Sequence, residues 1–215
     1  MQIRAIIFDL DGVLTDTAHY HFQAWQALAH DLSIPFTEQD NEQLKGVDRL
    51  GSLRWILQKV GRTLSEAEET RLMQQKNEHY LKLIEHMGTK DLFPGVQSLF
   101  TELKQLNIKI GLASASKNAG MVVERLGIAA QFDFIADANY VKNSKPDPEV
   151  FLLAAKGLGV TPEYCIGVED AVAGIEAINR AGMRAIGIGD KELLSDALIV
   201  YPSIDALNLA DLQAL

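Results

Sequence analysis

Cysteine is nearly missing from this chain: of 215 residues, only Cys165 is one. No internal disulfide is available, and the apolar neighbours of Cys165 point to a buried core thiol. Basic residues are also in short supply, with 20 Lys and Arg against 29 Asp and Glu and a net charge of −9. Nucleic-acid binders carry a basic patch, so the expectation is no nucleic-acid partner. The same balance gives no long-range steering toward a phosphorylated ligand, which leaves that work to local cations. No apolar run approaches the roughly 20 residues a membrane span needs, and Asp9 interrupts the one early run that could start a signal peptide. A cytoplasmic monomer without membrane contact is expected.

What is present fits a globular enzyme. The chain is 47% hydrophobic and 23% charged, and it is long enough for one sizeable core with a second domain inserted into it. Four short runs read as buried parallel strands: "IRAIIFD" (3–9), "IKIGLAS" (108–114), "YCIGVED" (164–170) and "RAIGIGD" (184–190). Helical spacing lies between the later ones, at Val96, Leu99, Phe100, Leu103 and Leu106, and at Phe151, Ala154, Ala155 and Leu158. Asp147 is placed to cap the latter helix, with Pro148 as its first residue, and Gly182 to close the helix that begins near Asp170. This alternation predicts an α/β fold, a doubly wound parallel sheet. After the first strand, however, residues 17 to 87 read as helical throughout, with a capping box at Ser65 and Glu68. We therefore expect an all-helical cap domain at 16–89, inserted into a core formed by 1–15 and 90–215.

Ligands of open α/β sheets bind beyond the carboxyl ends of the strands. Those ends supply Asp9 and Asp11, then Ser114, then Glu169 and Asp170, and the loop "NSKPDP" adds Lys145. Carboxylates crowded at a buried strand end repel one another unless a cation offsets them. An all-oxygen set of Asp9, Asp11, Glu169 and Asp170 suits Mg2+, whereas zinc would want His or Cys. Beside it, Ser114 and Lys145 offer a hydroxyl and a cation to a phosphoryl group. Asp9 can then act as nucleophile, forming an aspartyl-phosphate, and Asp11 as general acid or base.

"DLDG", "SAS", "KPDP" and "GVEDAVAG", each following its strand or loop in this order, resemble the four motifs of the haloacid dehalogenase superfamily. The resemblance covers essentially the whole chain, including a helical cap between strands one and two. It implies Asp9 as nucleophile, Asp11 as acid/base, Ser114 and Lys145 as the second and third motifs, and Glu169 and Asp170 as metal-binding acids. Dehalogenase members lack the second aspartate, so Asp11 implies phosphoryl transfer.

In the cap, "DTAHYHFQAW", "NEQLKGVDRLGS" and "KN" at 76–77, with "LASASKNA" in the core, resemble the β-phosphoglucomutase family. That resemblance implies interconversion of β-glucose 1-phosphate and glucose 6-phosphate through β-glucose 1,6-bisphosphate. It places Thr17 at the hinge and has His21 couple cap closure to the substrate and Asp11. Lys45, Gly46, Val47, Arg49 and Ser52 form the implied specificity loop, with Arg49 on the waiting phosphate. Lys76 faces the sugar, and Ala115, Ser116, Lys117 and Asn118 contact the ligand from the core. Trp25 stands among the candidate sugar contacts, although its helical stripe suits packing better.

Each feature also has a plainer reading. Asp-Gly favours turns, Ser114, Ser116 and Asp170 suit helix caps, and Lys45 and Arg49 could be a solvated helix face. Two other functions use similar parts. A sugar-phosphate phosphatase would share every core motif, and a response-regulator switch would share the acids, magnesium and lysine. The inserted cap and Asp11 count against the switch.

Overall fold

The computed structural model describes residues 3–213. The chain runs β1 (Ala5–Phe8), α1 (Ala18–Asp31), α2 (Glu38–Glu42), α3 (Arg49–Gln58), α4 (Glu66–Leu83), α5 (Val96–Gln105), β2 (Lys109–Ala113), α6 (Ala119–Arg125), β3 (Phe134–Ala136), α7 (Glu149–Leu158), β4 (Cys165–Glu169), α8 (Val172–Arg180), β5 (Arg184–Ile188), β6 (Ile199–Tyr201) and α9 (Leu209–Gln213). All strand pairings are parallel, in the order β3-β2-β1-β4-β5-β6. The order reverses at β1, so the crevice for a ligand opens at its carboxyl end.

Side chains of β1 alternate between two apolar layers, as a strand covered on both faces requires. Ile6 and Phe8 pack with Leu99, Phe100 and Leu103 of α5, while Ala5 and Ile7 pack with Phe151, Ala154 and Ile178 of α7 and α8. The four expected strands form with trimmed ends. Beyond them β3 and β6 join the sheet edges, each only three residues long. Two cap assignments move by a residue. Helix α7 starts at Glu149 with Pro148 at its cap, and Asp147 accepts from the Glu149 amide at 3.0 Å instead of capping. Ala171, not Asp170, caps α8, which leaves the Asp170 carboxylate free for other work.

Helices α1–α4 leave the sheet entirely and bury their own core of Trp25, Leu28, Leu53, Ile56, Leu57 and Leu72. The capping box of Ser65 and Glu68 opens α4 as expected. The chain departs and returns at one place: Thr15 and Leu92 form an antiparallel bridge, Phe93 donates to the Leu14 carbonyl, and Thr15 Oγ1 donates to the Asp91 carbonyl at 2.6 Å. The two crossings between the helical segment and the sheet region are thus pinned side by side.

Candidate active site

The floor of the site is built where β1, β2 and β4 end. Asp9 follows β1 directly, its amide held by the Val168 carbonyl at 2.9 Å. The chain then turns at Gly12, whose φ of +80° suits glycine. A Cβ there would lie 2.2 Å from Asp170 Oδ2, so the close approach needs glycine as well. The turn aims the Asp11 amide back at Asp9 Oδ2, 3.0 Å away.

Lys145, only 3% exposed, reaches the same point from the loop before α7. Its Nζ donates to Asp9 Oδ1 at 2.6 Å, Glu169 Oε1 at 2.5 Å and the Ala113 carbonyl at 3.1 Å. Glu169 Oε2 accepts from the amides of Asp170 and Ala171, both at 2.9 Å. Both Glu169 oxygens are thus engaged, and Gly174 makes room for them, since a Cβ there would sit 2.0 Å from Oε1. The sequence offers Glu169 as a metal ligand; its contacts show it also orienting Lys145.

Three carboxylates, Asp9, Glu169 and Asp170, each present an oxygen within 4.8 Å of the others. This hard, all-oxygen donor set fits a magnesium-type cation. The Asp11 carboxylate is not in that group. It lines the cavity above, and its Oδ1 is buried without a partner.

Electrostatics separate the two aspartates. Burial pushes the Asp9 carboxyl up to about 6, against the opposing charge of Lys145, with Glu169 adding to the rise. Asp11 is pushed further, to about 8, by burial first and then by the charge of Asp9. Burial, followed by Glu169 and Asp9, also holds Asp170 well above the usual carboxylate range. Lys145 moves upward as well: its acid neighbours outweigh the burial that opposes its charge. Asp9 is thus held the more readily ionised of the two and Asp11 the more readily protonated, a division that suits a nucleophile and a proton carrier.

The helical segment supplies the opposite wall of a cavity of about 100 Å3. Lys45, Gly46, Val47, Arg49, Ser52, Trp25, Lys76 and His21 line it from above; Asp9, Asp11, Asp170, Ala115, Ser116 and Lys117 line it from the sheet. Asp48 caps α3 by accepting from the Gly51 amide at 2.7 Å, which fixes the turn that presents Arg49. Burial lowers the Arg49 pKa from its ordinary value. Lys76 is 3% exposed, with Nζ 2.7 Å from His21 Nδ1 and 4.8 and 4.9 Å from the ring centres of Trp25 and Tyr80. Burial, then Arg49, brings Lys76 down to about 7, and burial with Lys76 lowers His21. A neutral His21, stacked on Tyr80 at 4.1 Å, can therefore accept from the lysine.

Five sequence candidates stand outside this cavity. Ser114 and Lys145 line an adjacent one of about 450 Å3 that shares Arg49, Ala115 and Lys117 with the first. Asn118 donates to Asn77 Oδ1 at 2.9 Å, joining the sheet region to α4. Thr17 is fully buried at the start of α1, with its hydroxyl unpartnered. Glu169 lies beneath the floor. In turn Ala18, Asn41 and Leu44 line the cavity without having been singled out; each lies within a quoted cap motif, but only the fold shows that its side chain faces the cavity.

Comparison with known proteins gives a consistent picture. A family model described as a haloacid dehalogenase-like hydrolase matches residues 3–182. The β-phosphoglucomutase of Bacillus subtilis is 46% identical over 209 residues, covering 96% of this chain and 92% of that protein. A crystal structure of β-phosphoglucomutase from Clostridium difficile superposes with a TM-score of 0.97 at 49% identity, over 99% of this chain and 96% of that one. More distantly, the phosphorylated carbohydrates phosphatase of Thermotoga maritima is 31% identical over 187 residues, covering 86% of this chain and 84% of that protein.

Proposed function

The chain belongs to the haloacid dehalogenase-like hydrolase family, and from that premise we propose that it works as a β-phosphoglucomutase. It is an isomerase that interconverts β-glucose 1-phosphate and glucose 6-phosphate. The observation that carries this reading is the single cavity joining the Asp9–Asp11 pair to Lys45, Arg49 and Lys76 of the helical segment. A cationic wall facing a phosphoryl-transfer floor suits a substrate with a phosphate at each end. The phosphatase alternative needs only the floor.

In our reading residues 16–89 act as a cap over the core of 1–15 and 90–215. The enzyme carries its phosphoryl group on Asp9. When β-glucose 1-phosphate binds, its 6-hydroxyl oxygen attacks that phosphorus and the bond to Asp9 breaks. Asp11 accepts the hydroxyl proton, and β-glucose 1,6-bisphosphate results. The bisphosphate turns over; Asp9 attacks the 1-phosphate, the bond to the sugar oxygen breaks, and Asp11 returns its proton to that oxygen. Glucose 6-phosphate leaves a phosphorylated Asp9 behind. Lys145 holds the Asp9 carboxylate in place, and with Ser114 it meets the equatorial oxygens. Arg49 anchors whichever phosphate is waiting, helped by Ser116, Lys117 and Asn118. Mg2+, held by Asp9, Asp170 and Glu169, would supply charge neutralisation to the transferring group, and Asp11, expected from the sequence as a fourth ligand, is left for proton transfer.

The cap accounts for the choice of acceptor. Water must stay away from the phosphorylated Asp9 until sugar arrives, which a closing lid achieves. Thr17 at the hinge, and His21 through Lys76, link that closure to the bound sugar. A coupled assay for glucose 6-phosphate tests the reading. The β anomer of glucose 1-phosphate should turn over, dependent on bisphosphate, and the α anomer should not. Release of inorganic phosphate in place of isomerisation would replace the mutase with a phosphatase.

A further inference from the structure

Two lysines face the acid cluster, and they differ in kind. Lys145 belongs to the sheet region, is fully enclosed and has three acceptors. Lys45 comes from the loop between α2 and α3, and its side chain is about a third exposed. Its Nζ lies 3.6 Å from Asp170 Oδ2 and 2.9 Å from Glu42 Oε2. Among the described residues no other cation pairs with Asp170. The next residue, Gly46, has a φ of +74° and rests against the Lys145 stem, with 3.6 Å from its Cβ position to Cδ. The loop is thus seated across the acid cluster. The Lys45–Asp170 pair also borders a second cavity of about 460 Å3, whose lining includes Glu42, Asp190 and Asp205.

We propose that Lys45 is a positioning residue that ties the α2–α3 loop to Asp170, so that seating of the loop and binding of a divalent ion oppose each other. The proposal rests on the metal reading of Asp9, Glu169 and Asp170 given above. An ammonium and a metal ion at one carboxylate repel. An ion arriving at Asp170 weakens the lysine's hold, and Lys45 moves over to Glu42 and the outer acids. By linkage a seated loop weakens the ion to the same extent. Loading the metal therefore loosens the loop before any sugar phosphate enters, and the incoming phosphate supplies the negative charge that lets lysine and metal approach again.

Mn2+ binding to the substrate-free enzyme, followed by electron paramagnetic resonance, tests this. Lys45→Met should lower the Mn2+ dissociation constant by about 5-fold or more, the lower end of ordinary coupling between sites, while Lys45→Arg stays near wild type. Hydrogen exchange gives the second readout. In the wild type Mg2+ should speed exchange at the amides of Lys45–Val47, and in Lys45→Met these amides should exchange fast with or without metal. An unchanged or raised dissociation constant overturns the proposal. So does a tightened ion with the wild-type exchange response retained, because that pattern means a through-space field and no tie. If the wild type binds no Mn2+ at all, the metal reading fails and takes this inference with it.

Discussion

The floor and the roof of the site are put together on different principles. On the floor, Asp9, Lys145 and Glu169 are bonded to one another and to backbone amides, so each is fixed by two or more partners. On the roof, Lys76 is buried against the faces of Trp25 and Tyr80, His21 stacks on Tyr80 and Arg49 is half-buried, with the Lys76–His21 contact as the polar link. The floor is preorganised for chemistry; the roof holds cations at a cost in burial, which an anionic ligand would offset. A phosphoryl-transfer centre must not move, whereas a lid must gain something on closing.

Four experiments probe that division. Asp9→Asn should abolish turnover, by at least about 10^4-fold, with the fold intact by circular dichroism. Near-normal activity would remove the floor's nucleophile and with it the comparison. Asp11→Asn should cut sugar phosphorylation by about 10^2–10^4-fold, the usual reach of an acid/base group. A rapid-quench measurement of phosphoryl transfer checks it. Arg49→Ala should lower kcat/KM by about 10–100-fold while Mn2+ affinity stays put; equal losses in both would mean that roof and floor are not separable.

The smallest effect concerns stability. Asp11 has a folded pKa raised to about 8, so its protonation favours the folded state. That contribution is complete below the unfolded value near 4 and is lost as pH rises through 8. Metal-free Asp11→Asn, lacking the charge, should therefore melt above the wild type at pH 8.5, with the gap closing toward pH 5. Thermal melts at the two pH values decide it.

The floor was legible in the sequence because each of its residues closes a strand or sits in a short motif whose chemistry allows few substitutes. Strands β1, β2, β4 and β5 announced themselves as apolar runs. The edge strands β3 and β6 did not, since three residues carry no period and pairing with β2 and β5 is what makes them strands. The roof was legible only by resemblance. Nothing in Lys45 and Arg49 alone separates a phosphate clamp from a solvated face, and Asn41 and Leu44 reach the cavity through the packing of α2. The engagement of both Glu169 oxygens was out of reach for the same reason: it depends on where Lys145 and the start of α8 arrive in space.

The order of the strands bears on how the protein is made. The strand that ends on Asp9 leaves the ribosome before the others, yet its ladder partners, beginning at Lys109 and Cys165, emerge roughly a hundred and then some hundred and sixty residues later. Until then Ala5–Phe8 is a bare apolar segment in the nascent chain, while α1–α4 can already gather around Trp25 and Leu53. The helical segment is thus free to fold before the sheet it packs on, and late closure of the central strand leaves a window for aggregation during synthesis.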